Sequence, residues 1–268
     1  VATAFRAKSW VPFGVGGKVF DPTKATSRKE QESAEREVLA RFYDVANAAG
    51  LPLPGDPATL VMLRSAFFRP GMNGDDEWPT PECVPLLAVA QHYGVPTRLL
   101  DWTRSPLAAA YFAADSASRR EVDGKDYLDI WAVRESVLRR CLKRSGIGGA
   151  RWDLAEVPES ANENLHAQRG LFAVLRGEPR RARDGLQLDD YVGFLGSVHQ
   201  QVPSAPQLTL PAMRRISLPA AMAPELLMAL EARGISGASI FPGFSGVVRA
   251  MKERSFYLPD YPPEVSSA

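Results

Sequence analysis

The chain has 268 residues, 45% of them apolar, and carries 32 lysines and arginines against 31 aspartates and glutamates, for a net charge of +1. An average globular composition at this length supports a buried core and excludes disorder, collagen-like repeats and coiled coil; near-neutrality excludes a global field that gathers nucleic acid. Two cysteines without CxxC spacing and three histidines without HExxH spacing give neither a disulfide framework nor a zinc signature, so a reducing, cytoplasmic setting is expected.

Ser27 and Glu30 have the spacing of a capping box and predict a helix over 27–49, with Ala34, Val38, Leu39, Phe42, Val45 and Ala49 on its apolar stripe and Gly50 at its end. The prolines of 51–57 predict a connection. Thr80-Pro81-Glu82 opens a second helix, with Pro81 suited to its first position and Gly94 to its C-terminal cap. Residues 97–103 are short and β-compatible, so they read as extended. Ser105-Pro106 opens a third helix over 107–118, apolar around most of its circumference and therefore buried and central.

Residues 127–133 and 171–175 read as buried strands, and 214–218 as a strand with a basic start. A helix over 224–232 stops at Gly234, and 246–254 forms a closing one. The arginine-rich 176–188 and the proline-punctuated 202–211 read as surface connections too short to separate domains. The longest apolar run, 107–114, is far below the ~20 residues of a membrane helix, so no membrane association is expected. The expected fold class is α+β: a single mixed α/β domain over 1–254 with a central buried helix, followed by a tail over 255–268.

Chemistry concentrates in Gln91-His92-Tyr93-Gly94 and Thr97-Arg98-Leu99-Leu100-Asp101-Trp102-Thr103, just before Ser105-Pro106. This passage joins one helix end to the next helix start, where a rigid scaffold positions polar groups that solvent still reaches. Each residue also has a plainer role: Ser105 as an N-cap, Arg98 with Asp101 as a structural ion pair, Asp101 as an acceptor for amides of the following helix, and Tyr93 and Trp102 as packing. There is no P-loop, GxSxG elbow or dinucleotide fingerprint, and Cys83 has no evident activating partner.

The same passage closely resembles the signature of the FRG-domain family: Gln-His-Tyr-Gly, Thr-Arg-Leu-Leu-Asp-Trp-Thr, then Ser-Pro-Leu and an apolar helix ending in Tyr-Phe-Ala, here Tyr111-Phe112-Ala113. Phe5-Arg6-Ala7 is similar to the family's Phe-Arg-Gly opening. Asn162 with Gln168, Gly170 and Phe172 resembles its middle block, and Ile240-Phe241-Pro242 with Gly246 its closing one. Ala7 departs from the family's glycine, and Asn164 stands where arginine is common.

The order of an arginine on an early strand, a hydroxyl-bearing strand feeding an Ala/Tyr/Phe-rich helix, and a Gln/Glu ahead of a strand is in turn similar to ADP-ribosyltransferases. That resemblance implies an ADP-ribosyltransferase-like fold and NAD as substrate. Arg6 would hold a phosphate or ribose, Thr103 and Ser105 would shape the nicotinamide pocket, and Gln168 would occupy the usual glutamate position. His92, Tyr93, Arg98 and Trp102 would complete the NAD site, with Asp101 or Glu163 as the nearest carboxylate to serve as base. Cleaving the nicotinamide–ribose bond passes through an oxocarbenium-like state, which needs positioning and charge stabilisation rather than a metal. The acceptor stays open between a protein side chain, a nucleic-acid base and water, and oligomeric state is not legible. The implied role is a bacterial toxin or phage-defence effector; the alternative is a non-catalytic module of a larger defence protein that binds a nucleotide or nucleic acid in the same cleft.

Overall fold

The Leu99–Thr103 segment does become a strand, and it lies near the middle of a six-stranded antiparallel sheet. The structure, a computed structural model, describes residues 2–4, 13–15, 18–20, 28–55, 58, 61, 64–65, 78–95, 97–133, 135, 150–157, 163–177 and 213–258. Its strands are β1 (Ala2–Ala4), β2 (Phe13–Val15), β3 (Lys18–Phe20), β4 (Leu99–Thr103), β5 (Tyr127–Val133), β6 (Ala150–Ala155), β7 (Gly170–Gly177) and β8 (Met213–Pro219). The large sheet runs β6-β7-β4-β1-β5-β8, and β2 pairs separately with β3. The short β1 is interior: Thr3 faces Thr103 of β4 on one side and Ala132 of β5 on the other.

The described residues form seven α-helices beside this sheet: α1 (Arg28–Ala48), α2 (Val84–His92), α3 (Pro106–Ser118), α4 (Glu163–Gln168), α5 (Ala223–Glu231), α6 (Gly237–Ile240) and α7 (Phe244–Arg254). Pro81–Cys83 leads into α2 as a tight 3-10 turn, and Gly94 follows the helix with φ of 90°, a backbone state that glycine adopts without strain. Leu39 and Tyr43 of α1 and Leu86 and Leu87 of α2 form one core cluster with Leu99, Phe172 and Val174 of the sheet. A second cluster joins Tyr111 and the alanines of α3 to Leu128, Leu227, Leu230 and Ile240. Alanines on α3 let α5 and the sheet approach it closely, so the helix is central, as its composition predicts.

Two expectations need correction. The buried face of α1 is rotated from the predicted stripe: Val45 is 70% exposed, while Glu35, Tyr43 and Ala46 are buried with Val38 and Leu39. A carboxylate takes an interior position because it is neutralised there by an arginine distant in sequence. Strand β5 is also less buried than predicted, with only Leu128 and Val133 inside, because its neighbour β8 is an edge strand with exposed residues 214–217. At the start of the predicted tail, residues 255–257 form a turn, and Phe256 and Tyr257 pack on the second cluster. The connections over 178–188 and 202–211 lie outside the described residues.

Candidate functional site

Residues two apart on a strand share a face, so Asp101 and Thr103 leave β4 on the same side as the core residue Leu99. In the antiparallel register Asp101 is opposite Phe172 and Thr103 opposite Gly170. Over this face α2 ends with Gln91 and His92, α4 brings Asn164, Leu165 and Gln168, and Phe112 of α3 and Phe241 close the far side. They line a cavity of about 170 Å³. An apolar protein cavity of about 150 Å³ holds one benzene molecule. The space therefore suits one six-membered ring.

Thr103 ties the two loops of the site together. Its hydroxyl donates to the carbonyl oxygen of Gln168 at 2.6 Å and accepts from the amide of Ser105 at 2.9 Å. The Arg104 amide donates to the Arg169 carbonyl at 3.0 Å, and Arg169 itself holds φ of 49°, a left-handed turn uncommon for a residue with a Cβ. The turn that ends α4 is thus pinned to the start of α3, and Gln168 is held at the cavity wall. Its Nε2 lies 3.4 Å from the Ile240 carbonyl oxygen. That leaves the amide oxygen of Gln168 as the acceptor for a ligand donor.

Asp101 is the half-buried carboxylate of the cavity. Gln91 Nε2 donates to its Oδ1 at 2.7 Å, and Gln91 Oε1 accepts from Thr97, whose hydroxyl also takes the Leu99 amide at 3.2 Å. This relay fixes which end of the Gln91 amide faces the acid. Burial pushes the Asp101 carboxyl up to about 6, against the lowering effect of the Gln91 hydrogen bond. Burial lowers the His92 imidazole. At neutral pH the cavity therefore holds a mostly ionised acid beside a neutral imidazole.

A measurable consequence follows from the sign of the Asp101 shift. The native state binds this proton more tightly than the unfolded chain, so the group's stabilising contribution is full below about pH 4 and is lost as pH rises through about 6. Asp101→Asn is expected to remove that part of the slope. Urea unfolding midpoints of both proteins between pH 4 and pH 7.5 check this; parallel curves would place the shift elsewhere.

Five of the residues predicted for the site line the cavity: His92, Asp101, Trp102, Thr103 and Gln168. The other described candidates stand apart from it. Arg98 does not pair with Asp101; its guanidinium meets Glu35 at 2.7 Å, with the two side chains 6% and 4% exposed, and also donates to the Trp78 carbonyl oxygen. Tyr93 is 74% exposed, edge-on to His92. Ser105 caps α3, its hydroxyl oxygen accepting from the Ala108 amide at 3.2 Å. Asp101 is held by Gln91 rather than by helix amides, and Glu163 is exposed at the start of α4. Arg6 lies outside the described residues; the strand before it ends at Ala4, opposite Trp102.

Lining residues without a role in the sequence reading include Gln91, Phe112, Asn164 and Phe241. Gln91 sits at the end of a helix whose preceding turns are apolar, a signal that its amide serves a specific partner. Nothing local distinguished the two phenylalanines from core.

Among protein families, residues 58–121 match the model of the FRG domain. The chain carries an FRG domain. The matched stretch contains α2, β4 and α3, and so one side of the cavity, with Gln91, His92, Asp101 and Phe112. The facing side, with Asn164, Gln168 and Phe241, is supplied by residues beyond the matched FRG stretch. No curated protein and no solved structure matches the chain. Among the described residues no helix is long and apolar enough to cross a membrane, and no group of three or more His, Cys, Asp or Glu is placed to hold a metal ion.

Proposed function

We propose that the FRG-domain cavity receives the nicotinamide end of NAD and that the protein is an NAD-dependent ADP-ribosyltransferase, an effector of a bacterial toxin or phage-defence system. One observation carries the reading: a ring-sized cavity has a desolvated carboxylate, Asp101, and an oriented primary amide, Gln168, in its lining. The adenylate half of NAD lies outside the cavity, where Arg6 is assigned to it on the family resemblance alone.

In the proposed reaction the bond between the nicotinamide nitrogen and ribose C1′ breaks, and its electron pair leaves with nicotinamide. The ribose develops positive charge, which ionised Asp101 stabilises in a space where little water screens it. The acceptor nucleophile then bonds to C1′ and gives up its proton. Gln168 cannot take that proton, but its oxygen can hold a ribose hydroxyl; Asp101, titrating near 6, can take it. A carboxylate at 101 thus supplies what the amide at 168 lacks.

Incubation with NAD labelled in the adenylate, in the presence of a cell lysate, tests the proposal. Release of nicotinamide and a labelled acceptor are expected, with Asp101→Asn lowering turnover by about 10²–10⁴ and retaining nicotinamide binding. Folded protein that releases no nicotinamide overturns the reading. Saturable binding with NAD left intact would instead make the domain a ligand-sensing module.

A further inference from the structure

We infer that Arg249, which does not line the cavity, positions the cavity-wall ring of Phe241. A phenyl side chain has no hydrogen-bonding group, so its orientation is set by what packs against it. The Arg249 guanidinium lies 4.3 Å from the Phe241 ring centroid, while Tyr111 and Phe112 meet the same ring in edge contacts with centroids 6.3 and 5.9 Å away. Three neighbours thus bracket Phe241, and Phe112 is itself a second cavity wall.

The guanidinium is fixed in turn by two buried carboxylates. Asp115 of α3 pairs with Arg249 and with Arg119, and Glu253 of α7 has its Oε1 3.8 Å from Arg249 Nε. Glu253 also accepts from the Tyr111 hydroxyl and, at 2.9 Å, from the Gly237 amide. Burying two acids is unfavourable unless they are compensated, and the cluster compensates them with cations and hydrogen-bond donors. Apolar side chains would fill the same volume at lower cost. The charged arrangement adds a fixed cation on Phe241 whose charge is matched from behind, so the cavity gains a held ring without a net positive field.

The functional sense of this device rests on the cavity being the ligand site, as proposed above; the device itself is tested without any ligand. In the full chain with ¹³C-labelled phenylalanine, R249M is expected to shift the Phe241 ring resonances and speed its ring flips about tenfold, and R249K to restore them in part. R254M, a change on the same helix as Arg249 that removes a pair with Glu231 of α5, should leave them in place. Unchanged Phe241 resonances in folded R249M overturn the inference, as do equal changes in R254M, which would signal a general loosening of α7. Should R249M fail to fold, the Arg249 Nε proton of the unsubstituted protein is the readout: its ring-current shift must disappear in F241L, and its persistence overturns the inference. Failure of the NAD reading is seen separately, as absence of nicotinamide release by a protein whose Phe241 ring still responds to R249M.

Discussion

Glu35→Ala is expected to destabilise the fold by about 3–5 kcal/mol, a large share of the 5–15 kcal/mol that holds an ordinary domain together. Removing the carboxylate takes away the ion-pair partner that meets the buried Arg98 guanidinium at 2.7 Å, and also removes the acceptor that takes the Trp78 indole N–H at 2.7 Å. Arg98→Met is expected to have a similar cost, since it removes the cation paired with the buried acid. The double substitution Glu35→Leu with Arg98→Met should recover most of the loss, because exchanging both charges for apolar groups avoids desolvating either. Urea unfolding of the three variants measures this. The result also decides between the two roles for Arg98: an NAD anchor would lose ligand binding with stability unchanged, whereas the ion pair to Glu35 shows itself in stability first. Single substitutions costing under about 1 kcal/mol, the range of exposed pairs, would return Arg98 to the ligand site.

Gly246→Ala is expected to destabilise by at least about 3 kcal/mol, the upper range for forcing volume into a packed interior. A Cβ at this position would fall well inside contact distance of the Phe241 carbonyl oxygen and 2.7 Å from that of Gly237. Both obstacles are backbone atoms, so no side-chain rotation relieves them. The start of α7 would have to lift away from α6 and carry Phe241 off the cavity. Gly124→Ala is the control: nothing lies within 4 Å of its Cβ position, and a change within about 0.5 kcal/mol is expected. Thermal unfolding followed by circular dichroism compares the two; equal midpoints would show that α6 and α7 do not need this close approach.

Local patterns in the sequence revealed most long elements, and the misses have physical causes. Helices α2, α3, α5 and α7 and strands β4, β5, β7 and β8 carry their own signals in apolar runs and in the prolines and glycines that bound them. The four-residue α6, the six-residue α4 and the three-residue β1 are too short for any periodicity to register. The buried face of α1 departs from its local pattern because Glu35 is made acceptable inside by Arg98, 63 residues away, a compensation that no local window contains. In the site, the motif around Asp101 stood out because polar and aromatic residues crowd a junction. Phe112 and Phe241 did not, because a ring lining a cavity and a ring filling a core have the same sequence signature. Arg98 and Tyr93 belong to the same motif, yet the pleat and the end of α2 direct them elsewhere.

The interior place of β1 also governs the order in which the protein can assemble. Ala2–Ala4 is synthesised before both its partners, Leu99–Thr103 and Tyr127–Val133, which lie about 95 to 130 residues downstream. At about 5–20 residues per second this strand waits roughly 6–26 s before its slot exists. The β4–β7 and β5–β8 ladders can each form without it, but the sheet becomes one surface only when this segment returns to bridge them. Its closure is a long-range contact and therefore a slow step. Until it occurs, β4 and β5 each present an open edge, which is the moment at which the nascent chain is most exposed to pairing with another copy.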